Sequence, residues 1–156
     1  MVVLCDDNMF CVKADVLVCP VNTVGVMGAG LAKVFKAKFP GLENAYKREC
    51  KNKKFFVGTI FKYITCNEDI VCFPTKIHWR DPSHIEFIKN TLPCFKSYLY
   101  ERARIRHIIG YKNDLCVNVP ALGCGLGNLN FNDVFRFINE SLNDVEYLHV
   151  NVFAPM

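Results

Sequence analysis

The stretch Ala14–Gly41, "ADVLVCPVNTVGVMGAGLAKVFKAKFPG", decides the fold. Its opening, Ala14–Asn22, is rich in Val, Leu and Cys, as in a short strand buried on both faces. Gly25, Gly28 and Gly30 follow. After them Leu31, Val34, Phe35 and Phe39 fall on one helical face, with Lys33, Lys36 and Lys38 elsewhere. Pro40-Gly41 ends that helix. The unit is strand, glycine loop, helix. Neither standard phosphate loop fits it: the glycines run GxxGxG where a dinucleotide fold needs GxGxxG, and Leu31-Ala32 stand where a Walker loop needs Lys-Ser or Lys-Thr. The physics of such a loop survives the failed patterns, because glycines admit close backbone approach and the next helix offers unpaired N–H donors.

Working outward, the unit repeats. "LCVNVPAL" (Leu115–Leu122) reads as a second buried strand, Gly123, Gly125 and Gly127 follow it, and "NFNDVFRFINESL" reads as a helix. "LENAYKREC" is helical, while Gly58–Thr65 and Asp69–Thr75 are strand-like runs whose polar link suggests a hairpin. "DPSHIEFIKNTL" opens another helix, with Ser83 a plausible N-cap and Glu86 at capping-box spacing. Pro93 is expected to kink or divide it. Arg104–Asn113 fits either a helical extension or a strand, and "EYLHVNVF" closes the chain as a strand. Strands separated by helices imply a mainly parallel sheet covered on both faces. Its glycine loops would then share the carboxyl rim of the sheet, where ligands bind. A single glycine loop reads equally as a tight turn; two on one rim, with Asn22 directly ahead of the first, favour a ligand.

The 156 residues are 51% hydrophobic and 22% charged, proportions of one ordinary globular domain spanning 1–156. Lys13 and Asp15 interrupt the N-terminal apolar run, and Asp6-Asp7 precede any signal-like core, so a cytoplasmic chain with no membrane contact is expected. Nine cysteines without a CxxC pair, several inside apolar runs, read as reduced and buried; His78, His84, His107 and His149 are scattered, so no metal is expected. The net charge of +4 permits a polyanionic partner without requiring one. Lys47, Arg48, Lys51, Lys53 and Lys54 form one basic cluster and Arg102, Arg104 and Arg106 another; each alone reads as a solvated helix end or loop.

The first glycine unit resembles the ADP-ribose-binding core of a macrodomain, and "VPALGCGLGNLNF" resembles that family's second phosphate-gripping loop. "FPTKIHWRDPSHIEFI" is similar to the antitoxin branch that removes ADP-ribose from DNA bases. The resemblance covers nearly the whole chain. It implies a three-layer α/β/α sandwich with a mixed, mainly parallel sheet, no cofactor, and a monomer. ADP-ribose would be held by the first loop (Gly25, Val26, Met27, Gly28, Ala29, Gly30, Leu31) and the second (Leu122, Gly123, Cys124, Gly125, Leu126, Gly127), with Thr75 and Met9 lining the cleft. Asn22 would hydrogen-bond the distal ribose and assist catalysis. Where the family has Gly-Asp for adenine recognition, this chain has Asp7-Asn8, so recognition passes to an amide oxygen or shifts onto Asp7.

The resemblance also places Lys76 beside the distal ribose as the catalytic residue. An amine there can attack the anomeric carbon, open the ribose or stabilise departing charge. Macrodomains that release ADP-ribose from glutamate pair the lysine with an aspartate in the second loop, and Gly127 stands at that position. The implied activity is therefore hydrolysis of ADP-ribose from a nucleobase, thymine or guanine in single-stranded DNA. His78, Trp79 and Arg80 follow Lys76; Trp79 either stacks on a base with Arg80 on phosphate, or packs the following helix. Two alternatives remain: a binder without turnover that sequesters ADP-ribose or a related signal, and a phosphatase acting on ADP-ribose 1″-phosphate.

Overall fold

The computed structural model describes residues 1–156. Six strands form one sheet in the order β1-β6-β5-β2-β4-β3. They are β1 (Val2–Cys5), β2 (Val16–Val21), β3 (Phe61–Ile64), β4 (Asp69–Pro74), β5 (Leu115–Val119) and β6 (Leu148–Phe153). All neighbours pair in parallel except β3, which runs antiparallel to β4 as the outer arm of the expected hairpin.

Four helices cover the sheet: α1 (Gly30–Lys38), α2 (Leu42–Lys51), α3 (Ile85–Ile108) and α4 (Phe131–Leu142). Alternation along β2 sorts them into layers. Val16 and Val18 join a core with Leu92, Phe95 and Leu99 of α3 and Ile138 of α4. Leu17, Cys19 and Val21 point the other way, into a core with Phe35 of α1 and Leu42 and Tyr46 of α2. The strand is apolar on both sides because both sides are covered. On α1, Phe35 is buried and Leu31 and Phe39 half-buried, whereas Val34, assigned to the core face from its spacing, is exposed.

Two further expectations need correction, and one strand was not foreseen. Ser83 does not cap α3: the N-cap is His84, whose side chain makes no capping bond. Pro93 does not divide the helix, which runs unbroken for 24 residues and continues through Arg104–Ile108 before turning. Buried Leu92, Phe95 and Leu99 hold it against the sheet on both sides of the proline, and that packing outweighs one missing backbone bond. Finally, β1 carries no pattern of its own. Four residues become a strand only by pairing with β6, from Val2↔Val150 to Cys5↔Phe153.

One feature of the sheet opens a crevice. Strand β2 pairs β4 over its whole length, from Val16↔Asp69 to Val21↔Pro74, but pairs β5 only at Val16↔Val117 and Leu17↔Asn118. Pro20, with no N–H to give, lies past the last β2–β5 pair. The two strands therefore part towards their carboxyl ends, and the glycine loops leave from the parted ends.

Candidate functional site

Four loops meet at this rim: 6–15 after β1, 22–29 after β2, 75–84 after β4 and 120–130 after β5. The first glycine loop is organised by Asn22. Its Oδ1 accepts from the amides of Val24, Gly25 and Val26 at 3.1, 3.1 and 3.2 Å, and its Nδ2 donates to the Val26 carbonyl at 2.8 Å. The Tyr46 hydroxyl, buried beneath, lies 2.8 Å from the same Oδ1 and also within reach of the Asn22 carbonyl. Burial of that phenol pushes its pKa well above the ordinary tyrosine value. The Asn22 oxygen is thus fully engaged, which removes it as an acceptor for a ribose hydroxyl, while one amide N–H stays available. Gly25 turns with φ +91°, and a β-carbon there would press to 3.3 Å from Lys47 Cγ.

Past Val26 the loop is exposed again at Gly28, Ala29 and Gly30, with Met27 buried beneath. The amides of Met27, Gly28, Ala29 and Gly30 donate to no protein group. The second loop behaves likewise: the amides of Gly125, Leu126 and Gly127 are unpaired, while Asn128 N bonds Gly125 O and Leu129 N bonds Gly123 O. Leu122 and Gly123 are buried, and the Cys124 thiol is pushed up to about 11 by burial. Leu126 is 72% exposed and reaches across the gap, since a β-carbon on Gly30 would lie 3.6 Å from its Cδ1. The loops face each other, each with free donors of the kind that bind phosphate oxygens.

Lys76 leaves the end of β4 after buried Thr75, whose amide bonds the Val21 carbonyl at 2.9 Å. Its Nζ donates to Leu126 O of the second loop at 3.3 Å and to Trp79 O at 3.5 Å. One amine thereby joins the β4 loop to the second glycine loop, where the first loop also arrives. Trp79 is 47% exposed, with His78 stacked at 5.3 Å and the Arg80 guanidinium 4.7 Å over its ring.

At the other end, Asp7 Oδ1 accepts from Asn8 N at 2.7 Å and Asn8 Oδ1 from Phe10 N at 2.9 Å. Both side chains are exposed, and Met9 is buried beneath them. This loop is pinned from below by a residue that sequence reading overlooked. Asn118 of β5 donates to Met9 O at 2.9 Å and Val12 O at 2.8 Å, and accepts from Asn151 of β6 at 3.0 Å. An asparagine inside an apolar strand was the available signal, because a buried amide requires partners.

Comparison with known proteins agrees with this geometry. A family model described as "Macro domain" matches residues 18–138, a span that includes both glycine loops and Lys76. The chain belongs to the macro domain family. This macrodomain matches the DNA ADP-ribosyl glycohydrolase of Thermus aquaticus at 35% identity over 153 residues, covering 96% of this chain and 40% of that protein. It therefore spans about two fifths of the length of that curated relative. The macrodomain of Mycobacterium tuberculosis DarG superposes with a TM-score of 0.85 at 29% identity, covering 100% of this chain and 99% of the other. Thermosipho africanus DarTG in complex with ADP-ribose gives 0.82 at 30% identity, covering 99% of this macrodomain and 42% of that chain. No helix is long and apolar enough to cross a membrane.

Proposed function

We propose that this macrodomain is an ADP-ribosyl hydrolase that binds ADP-ribose between its two glycine loops and releases it from a nucleobase, thymine or guanine, in single-stranded DNA. One observation carries the reading: the Lys76 amine bonds Leu126 O at 3.3 Å, where both loops and the β4 loop converge. The Thermus relative at 35% identity, named DNA ADP-ribosyl glycohydrolase, supports the reaction class. The ADP-ribose complex of Thermosipho DarTG supports the ligand.

In this reading the unpaired amides of residues 27–30 and 125–127 hold the diphosphate from two sides. Asp7 takes the adenine amino group through Oδ2, since its Oδ1 and the Asn8 oxygen already accept backbone amides. Asn22 donates its remaining N–H to the distal ribose and acts chiefly by shaping the first loop. Lys76 acts at the anomeric carbon. Its nitrogen bonds C1″ as the base–C1″ bond breaks and the base departs with one proton of the amine. The resulting glycosylamine then opens at the C1″–O4″ bond, its remaining N–H proton passing to O4″, and water splits the imine so formed to return ADP-ribose and the free amine. Trp79 stacks on a neighbouring base, and Gly127 leaves the pocket without a second acid.

A gel assay on an ADP-ribosylated oligonucleotide tests this. Lys76→Ala is expected to slow release by about a hundredfold or more while calorimetry still detects ADP-ribose binding. Cyanoborohydride is expected to trap wild type, and not the variant, on the modified strand. Full activity in Lys76→Ala rejects the role of the amine. Release from modified protein but not from DNA rejects the substrate. Tight binding with no turnover of any conjugate leaves a nucleotide sink, and chromatography that finds 1″-phosphate cleavage leaves a phosphatase.

A further inference from the structure

The chain's net excess of positive charge stands beside the ligand cleft, where holding ADP-ribose does not employ it. Eight of the nineteen basic residues and two of the fifteen acids lie between Gly30 and Lys54, a formal +6 against −2 for the remainder. That segment is α1, α2 and the turn after them, and all eight basic side chains are exposed. Glu43 neutralises part of it through Lys36 at 2.9 Å and Lys47 at 3.2 Å. Lys38 lies over the Phe10 ring at 4.8 Å. Lys33, Arg48, Lys51, Lys53 and Lys54 pair with no acid. A ridge left this uncompensated repels itself, and a polyanion relieves that repulsion.

Its position points to which polyanion. Helix α2 lies against the first glycine loop through Lys47 and Gly25, and Lys51 stands one turn further along the same side. The loop is tied in turn to the β4 loop, because Thr23 donates to Ile77 O at 3.1 Å from both its amide and its hydroxyl. Beyond Ile77 is Trp79, about half exposed, with the His78 ring and the Arg80 guanidinium against its indole. Between the aromatic platform and the basic ridge the surface is apolar and open at Val24 and Ile77, with Lys76 at its edge. An aromatic face flanked by cations suits an unstacked base, and a carboxylate-poor ridge of lysine and arginine suits successive phosphates.

We infer that this strip, from Trp79 past Lys76 to Arg48, Lys51 and Lys54, is the track of a single-stranded polynucleotide, with a base stacked at Trp79 and backbone phosphates along the α2 side. The inference rests on the base-release reading and adds to it that the site selects a polymer over a free nucleoside adduct. The strand's charge and one stacked base supply the anchorage, and the modified base is left at Lys76.

Fluorescence anisotropy with a short labelled oligothymidylate, unmodified and titrated across salt, tests the track without any turnover. In wild type, log Kd is expected to rise steeply with log salt. Arg48→Gln/Lys51→Gln/Lys54→Gln, folded by its thermal melt, is expected to flatten that slope by about 2, near 0.7 for each single-strand phosphate that a removed cation had neutralised. Trp79→Ala is expected to weaken single-strand binding by about tenfold and leave duplex binding unchanged. Arg104→Gln/Lys112→Gln, near the start of β5 at the opposite end of the sheet, is expected to keep the wild-type slope. Absence of low-salt binding, an unaltered slope in the triple variant, or an equal loss in the remote pair overturns the track. Binding with the expected pattern but no release from modified DNA would instead overturn the base-release reading and leave a strand-binding surface.

Discussion

At the scale of single residues, the second glycine loop shows how one side chain sets what its neighbours can be. Ser83 is 4% exposed and lies under Gly123 and Gly127. Its amide donates to Gly127 O at 3.0 Å, but its hydroxyl is buried without a partner. A β-carbon on Gly127 would collide with that hydroxyl and with the Gly123 carbonyl. Gly127→Ala is therefore expected to cost about 1–3 kcal/mol in urea unfolding. Ser83→Ala removes an orphaned donor and is expected to leave stability unchanged or raise it by up to about 1 kcal/mol. A clear loss of stability in Ser83→Ala would mean the hydroxyl is satisfied in solution. The spacing that suggests a capping box at Ser83 and Glu86 could not reveal this, because the serine's surroundings come from a loop some forty residues downstream. The committed oxygen of Asn22 is hidden for the same reason: its hydroxyl neighbour, Tyr46, arrives on α2.

Elements whose identity rests on near neighbours were the legible ones. Helices α1, α2 and α4, strands β2, β4, β5 and β6 and the β3–β4 hairpin follow from apolar spacing and from turn residues. Strand β1 was illegible, since four residues become a strand by pairing with one nearly the whole chain away. Helix α3 shows tertiary packing overruling a local signal. Pro93 is exposed, so it contributes little to the core while leaving the Lys89 carbonyl without its helical donor. Pro93→Ala is expected to stabilise the protein by about 1–3 kcal/mol, somewhat reduced because the unfolded chain gains freedom. A chemical denaturation midpoint that fails to rise would mean the helix bends at this point to fit the sheet.

Across the whole molecule, burial of ionisable groups sets the alkaline limit. Burial pushes the thiols of Cys50 and Cys124 up to about 11 from an ordinary 9.0, and raises the phenols of Tyr46 and Tyr98. Each folded pKa lies above its unfolded value, so the stability it contributes is intact below the unfolded pKa and is lost as pH climbs through the folded one. The melting temperature is expected to hold up to pH ~9 and to fall between there and ~11. A flat melting profile across that interval would contradict the burial of these groups.

The order of strands and helices, their apolar faces and the presence of two glycine loops are properties of short runs of residues, and these the amino-acid sequence determined alone. Which donors stay free, why β2 and β5 part, and how Lys76 comes to rest on the Leu126 carbonyl depend on segments distant in the chain meeting at one rim. Hydrogen bonds and steric fits are decided by partners at contact distance. A sequence specifies such partners only through the completed fold.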